Sequence, residues 1–237
     1  MKRKYLLEIS VETLEGAMAA EHGGADRIEL CGELSVGGIT PDPGLMLETF
    51  ANVQIPISAM IRPRAGNFVY SDEEFAVMRA SLRMAYRLQL DGVVLGILKA
   101  DSRVDVERTR ELVQLAKGMK VTFHRAIDET PDLLVALEDV VQTGASRILT
   151  SGGKRTALEG ASTIAEMVSQ SRGRVTILPG AGINAENAAE VLQKTGANEI
   201  HSGLSSAMPY GSGDYKKFEA EVRKLARRTA LSGRPYA

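Results

Sequence analysis

The 237-residue chain has one cysteine, Cys31, so no disulfide can form within it, and a reducing, cytoplasmic setting is the expected one. It has no apolar run near the roughly 20 residues needed to cross a bilayer. The basic opening Met1-Lys2-Arg3-Lys4 could mimic a signal peptide, but Glu8 and Glu12 interrupt any apolar core, so none is expected. Neither sign of charge is in excess: 29 Lys and Arg stand against 30 Asp and Glu. That balance argues against bulk affinity for nucleic acid or an anionic membrane. Histidine is scarce, with three in the chain, and no His-x-x-x-His spacing or cysteine pair marks a metal site. The first strand is followed by no glycine fingerprint, since Ile9-Ser10-Val11-Glu12 has none, and this disfavours an open dinucleotide-binding sheet.

What the chain does have is a repeat. Gly24-Ala25-Asp26-Arg27-Ile28 returns as Gly144-Ala145-Ser146-Arg147-Ile148 and as Gly196-Ala197-Asn198-Glu199-Ile200, and more loosely as Asp91-Gly92-Val93-Val94. Each copy follows a helix-like stretch and opens a short apolar run, so it reads as helix stop, tight turn, strand. Eight strands can be placed, starting near Tyr5, Arg27, Ile57, Gly92, Lys120, Arg147, Val175 and Glu199, at intervals of about 28 residues, which suits a strand, a helix and two loops. Helix starts are expected at Ser71 with Glu74, at Thr130 before Pro131, and at Asp105 and Asn184. An amphipathic stretch from Asp214 to Arg228 closes the series. The expectation is an α/β protein, a single (β/α)8 TIM-type barrel over residues 1–237, with no linker and no low-complexity segment.

Chemistry in such a barrel collects where the strands end, on inward-facing alternate positions. The polar residues obey that placement. Glu8 ends the first strand in this reading. Glu29 and Cys31 share a face, as do Ser58, Met60 and Arg62, then Thr122 and His124, then Glu199 and His201. The residues between them, Leu7, Ile28, Leu30, Ile61, Phe123 and Ile200, are apolar, as a helix-facing surface requires. A structural ion pair of Glu8 with Arg62 is the bland alternative. His22, at a helix end, reads as structural. His124 and His201 close two strands at the same barrel end and read as functional.

The loops add two signals. Arg62-Pro63-Arg64 is a rigid cationic corner suited to carboxylate or phosphate, unless neighbouring acids occupy it. Glycine-rich turns follow strands six, seven and eight: Thr150-Ser151-Gly152-Gly153-Lys154, Pro179-Gly180-Ala181-Gly182 and Ser202-Gly203. Backbone N–H groups of such turns hold phosphate in many barrels.

Gly24-Ala25-Asp26-Arg27-Ile28-Glu29-Leu30-Cys31, Gly37-Gly38-Ile39-Thr40-Pro41, Ile61-Arg62-Pro63-Arg64 with Phe68 and Tyr70, and Val121-Thr122-Phe123-His124-Arg125-Ala126 with Asp128 resemble the CutC family. So do Arg147-Ile148-Leu149-Thr150-Ser151-Gly152, the turn Gly180-Ala181-Gly182 and Glu199-Ile200-His201. The resemblance runs through nearly the whole chain. It implies a cytoplasmic TIM-type barrel, a homodimer or larger, with a nominal role in copper binding and copper homeostasis. On that implication Cys31 is the ligand for Cu(I), which prefers sulfur, with Met60 and a histidine beside it. The residues themselves also support an enzyme on a small anionic or phosphorylated metabolite. In that reading Glu8, Glu29, His124 and His201 are acid and base, Asp128 orients His124 or Arg125, and the anion lies on Arg62, Arg64, Arg125, Ser151, Gly152, Gly180 and Gly182. A divalent metal on Glu8, Glu29, His124 and His201 is a variant of it.

Overall fold

The computed structural model describes residues 5–204 and 213–231. The basic opening Met1–Lys4 lies outside them. Strands and helices alternate: β1 (Leu6–Val11), α1 (Leu14–Gly23), β2 (Arg27–Leu30), α2 (Pro43–Asn52), β3 (Ile57–Met60), α3 (Asp72–Arg87), β4 (Gly92–Leu95), α4 (Val106–Leu115) and β5 (Lys120–Phe123). They continue with α5 (Leu133–Thr143), β6 (Arg147–Thr150), α6 (Ala161–Ser171), β7 (Thr176–Pro179), α7 (Ala188–Thr195), β8 (Glu199–Ser202) and α8 (Tyr215–Leu231). All ladders are parallel, in the order β7-β6-β5-β4-β3-β2-β1-β8, and β8 also lies beside β7, so the sheet curls into a nearly closed barrel. The TIM-type expectation holds.

The repeated glycines end helices as read. Gly24, Gly144 and Gly196 cap α1, α5 and α7 in the left-handed conformation, where a Cβ is penalised. The loose fourth copy differs. There the left-handed residue is Gln89, while Gly92 sits inside β4, where a Cβ would come within 2.7 Å of Lys120 O and Ser58 Oγ. Helix starts also separate. Ser71 and Glu74 form the capping box of α3, and Asp105 caps α4. Thr130 does not cap α5. Asp132 does, accepting from Leu134 and Val135 N–H, which leaves Pro131 outside the helix. Asn184 holds the N–H groups of Glu186 and Asn187 in a turn that precedes α7. The amphipathic last helix starts one residue later and runs three residues further than expected, and packs on α1 and α7.

Leu7, Ile9, Ile28, Leu30, Ile61, Phe123 and Ile200 are fully buried between strands and helices. Each contributes about 1.5–3 kcal/mol of burial free energy. The barrel interior is a different environment. Its apolar part is small, a separate cluster of Cys31, Met60 and Val94 with Leu149 at the mouth, set among charged and polar side chains. β1 continues past Glu8 to Val11, so Glu8 lies mid-strand and Ser10 is nearer the mouth.

Candidate functional site

Register assembles the interior in layers. Glu8 pairs across the ladders with Arg27 on one side and His201 on the other, and Glu29 lies opposite Ser58. At the bottom, Arg27 bridges Glu8 and Glu199, with Nη2 2.9 Å from Glu199 Oε2. Arg147 joins the same Glu199 oxygen at 2.7 Å and donates to Thr122 Oγ1 at 3.2 Å. Glu8 therefore pairs with Arg27 and not with Arg62. Buried charges are tolerated when paired and hydrogen-bonded. The alternation that set Glu29 beside Cys31 extends back to Arg27, and the Gly-Ala-x-Arg copy that opens β6 puts Arg147 at the equivalent position. Following these patterns would have found both arginines.

Above this layer Glu8, Glu29 and His201 converge, each buried, with one ligand atom from each within 4.8 Å of the others. His201 Nδ1 lies 2.8 Å from Glu8 Oε1, and His201 Nε2 lies 3.7 Å from Glu29 Oε2. The Cys31 thiol donates to Glu29 Oε2 at 3.7 Å. Burial raises the Glu8 carboxyl, but Arg27 and His201 outweigh it and hold it at about 2. Glu8 is thus a fixed anion facing the Nδ1 side of His201. Burial disfavours the His201 cation, yet Glu29 and Glu8 together raise its pKa above the ordinary value. Burial pushes the Glu29 carboxyl up, with Glu8 adding to the rise and His201 opposing it. Burial, and then Glu29, push the Cys31 thiol well above its usual range.

Of these groups Glu29 and His201 border an open cavity of about 590 Å³ at the mouth. Glu29, His201, Met60, Arg62 and His124 line it from the strands, and Arg125, Asp128, Lys154, Ala181, Gly182 and Gly203 from the loops. Glu29 Oε1 and His124 Nε2 are buried and have no hydrogen-bond partner among the described residues, while Arg62 faces the Tyr70 hydroxyl. Buried polar atoms are rarely left so, and two in one cavity wall point to a ligand that satisfies them.

The remaining expected residues fall into distinct places. His124 stands apart from the Glu8–Glu29–His201 group. Its Nδ1 accepts from Ala126 N–H at 3.1 Å, and its ring tilts against Phe68 at 4.9 Å. Burial, reinforced by Arg62, lowers its pKa to about 3, so the ring is neutral. Arg62 donates to the carbonyls of Val36, Gly38 and Gly66 and so ties two loops together. Arg64 turns to Glu74 and to the carbonyls of Asn67 and Val69, away from the cavity lining. Asp128 binds Arg125, not His124, and accepts from Thr150 Oγ1, Ser151 N–H and Gly153 N–H. The amide cradle of the sixth loop is thus filled by the chain's own carboxylate. Gly152 donates to Thr150 Oγ1 and is glycine because the Gly160 backbone passes where its Cβ would lie. Gly180 is glycine for a similar reason, with Leu149 2.5 Å from its Cβ position and His201 at 3.4 Å.

Oxygen and imidazole nitrogen from Glu8, Glu29 and His201 make a donor set suited to a divalent cation. Cys31 is outside that group, and a single thiol is a thin site for Cu(I) by itself.

Comparison with known proteins agrees with these residues. The CutC family model matches residues 5–206. A CutC family protein of Vibrio cholerae is 46% identical over 208 residues, covering 87% of this chain and 82% of that protein. The copper homeostasis protein cutC homolog of Homo sapiens is 43% identical over 207 residues, covering 87% and 76%. The crystal structure of CutC from Streptococcus agalactiae superposes with a TM-score of 0.79 at 33% identity, covering 84% of this chain and 98% of that one. The chain belongs to the CutC family.

Proposed function

We propose that this CutC protein is an enzyme that moves a proton on a small anionic metabolite held in the barrel mouth. The observation that carries the reading is the row Glu8, His201, Glu29, which ends at an unpartnered carboxyl oxygen in the cavity wall. Glu8, kept anionic by Arg27, accepts a hydrogen bond from His201 Nδ1–H and fixes the imidazole. His201 Nε2 and Glu29 then share one further proton, because each raises the stability of the other's charged form. Glu29 so poised takes a proton from a carbon beside a carbonyl and returns it through Oε1. That is the chemistry of an isomerase or lyase, and with water in place of the carbon acid, of a hydrolase. Lys154 at the rim supplies positive charge for the anion, beside Arg125, whose charge is shared with Asp128.

The test is a search among phosphorylated and carboxylated carbonyl metabolites for compounds that raise the melting temperature. A compound that stabilises wild type and Glu29→Gln alike, but is turned over about 10²–10⁴-fold faster by wild type, supports the reading. If no small anion stabilises the protein, the reading is wrong.

A second reading has its own observation. The Glu8–Glu29–His201 group is close enough to hold a metal ion, and the human relative is named for copper homeostasis. On this reading copper is cargo: Cu(II) on oxygen and nitrogen, or Cu(I) on Cys31 with Met60 of the same cluster. Titration with Cu(I) and, separately, with Cu(II), each under a competing chelator and beside Cys31→Ser and His201→Gln, separates the two. Tight one-to-one binding lost in Cys31→Ser supports the sulfur site. Binding lost only in His201→Gln supports the other, and no tight binding removes both. A cytoplasmic location and a homodimer or larger assembly complete the proposal. In its support, the one thiol is buried, and among the described residues no helix is long and apolar enough to cross a membrane.

A further inference from the structure

We propose that the metabolite is a small carbonyl compound bearing a phosphate, with its carbonyl oxygen on His124 and its phosphate against Ala181, Gly182 and Gly203. The inference rests on the proton-transfer reading and names its substrate class.

His124 has the form of a neutral hydrogen-bond donor. Since Nδ1 accepts from Ala126 N–H, the ring proton is on Nε2. The other edge is fixed: a Cβ at Gly96 would come within 2.5 Å of both Cε1 and Nδ1, so only glycine lets the ring lie there. Nε2 is left without a partner in a ring that is only 4% exposed and lines the cavity. A buried neutral N–H without a partner is costly unless a ligand accepts from it. An acceptor suited to it is a carbonyl oxygen that gains negative charge when Glu29 removes the neighbouring proton. A neutral imidazole stabilises that oxygen by hydrogen bonding without first having to be charged.

The phosphate end follows from what the loops leave open. In the sixth loop, Asp128 already takes the amides of Ser151 and Gly153. In the seventh, Ala181 and Gly182 are both left-handed, at φ 81° and 68°, and alanine in that region is strained. Their N–H groups, and that of Gly203 after β8, have no partner among the described residues, and all three residues line the cavity. Lys154 reaches the same cavity from the sixth loop. Loops seven and eight are where barrels commonly seat phosphate, and successive free backbone N–H groups in a turn make an anion-binding concavity. The Asp128 cradle shows within this molecule that such amides bind an oxyanion.

Two probes that mimic the enolate state and differ by one group test this: phosphoglycolohydroxamate and glycolohydroxamate, with inorganic phosphate as a third. Isothermal titration is run on wild type, Ala181→Asp, Ala181→Gly, Lys154→Ala and His124→Asn, with melting curves to confirm folding. Aspartate tolerates the left-handed region and puts a like charge on the cradle, whereas glycine keeps the amides and relieves strain. The expected result is that the phosphorylated probe binds wild type about tenfold or more tighter than its counterpart. Ala181→Asp should remove that advantage, Ala181→Gly should keep it, and Lys154→Ala, on the exposed rim, should reduce it. His124→Asn should weaken both hydroxamates and leave inorganic phosphate unchanged. Equal binding of the two hydroxamates, or an advantage that survives Ala181→Asp and Lys154→Ala, overturns the phosphate subsite. Unchanged hydroxamate binding in His124→Asn overturns the carbonyl contact. If the subsite fails while Glu29→Gln still abolishes turnover of a carboxylated compound, only this inference falls and the proton-transfer reading stands.

Discussion

A single buried guanidinium decides the charge state of the site. Arg27 is 6% exposed and joins Glu8 to Glu199, so its removal takes from Glu8 its guanidinium partner and leaves Glu199 with Arg147 in the barrel interior. Arg27→Met is expected to destabilise the fold by about 3–5 kcal/mol, read as a lower denaturation midpoint. Arg64→Ala breaks a pair whose side chains are 37% and 30% exposed, and should cost about 1 kcal/mol or less. Equal losses would mean that the interior network is not what fixes Glu8. Before the structure, the two arginines were hard to tell apart. Arg64 stood in a loop rich in chemistry, while Arg27 looked like the start of an apolar strand. What separates them is burial, and burial follows from the period-two alternation that places Arg27 on the same face as Glu29 and Cys31. Partners were less legible than faces. Glu8 and Arg62 point into one interior, but register puts Arg27 beside Glu8 and loop carbonyls around Arg62.

Elements were read better than their joints. Many helix ends rest on local chemistry that a sequence displays, such as the glycine of α1 and α5 or the capping box of α3. The misread joint is Thr130-Pro131, because Asp132 is the better acceptor for the first amides of α5. Asp132→Ala should lower stability by about 1 kcal/mol while Thr130→Ala changes it less, a difference visible in melting curves. Parity between the two would contradict the cap assignment. The glycine loops were the least legible elements. A sequence shows that a turn contains glycine but not whether its amides are already taken. Asp128 fills the sixth loop from 22 or more residues away in sequence. Gly152 and Gly180 serve close packing, and only Gly182 of the three lines the cavity.

For the molecule as a whole, the buried titrating groups set a window of stability. His124 in the fold has its pKa lowered to about 3, against 6.5 when exposed, so the unfolded chain takes up this proton first as pH falls. Its contribution is present above 6.5 and is lost progressively as pH falls toward 3. Glu8 adds about 3 kcal/mol that is present above 4.5 and lost as pH falls toward 2. His201 runs the other way: its pKa is raised, so its contribution is present below 6.5 and lost as pH rises through the raised value. The melting temperature should therefore fall between pH 7 and 4, and His124→Asn, which keeps an acceptor for Ala126 N–H, should flatten that fall. An unchanged slope would show that His124 does not carry it. The barrel itself was legible at this scale, since eight strand starts at regular spacing leave few other arrangements. What the sequence did not display is that its charged interior is divided into a fully paired lower layer and an upper one with orphaned atoms facing the mouth.

The central claim is that Glu29, poised by His201, exchanges a proton with a bound carbonyl compound. Its most direct measurement is uptake of deuterium from D2O at the carbon beside the carbonyl of a compound that binds the cavity, followed by mass spectrometry. Wild type should label that carbon, and Glu29→Gln should label it about 10²-fold or more slowly while still binding the compound. Labelling at the same rate by Glu29→Gln, or none by wild type with the cavity occupied, would contradict the account.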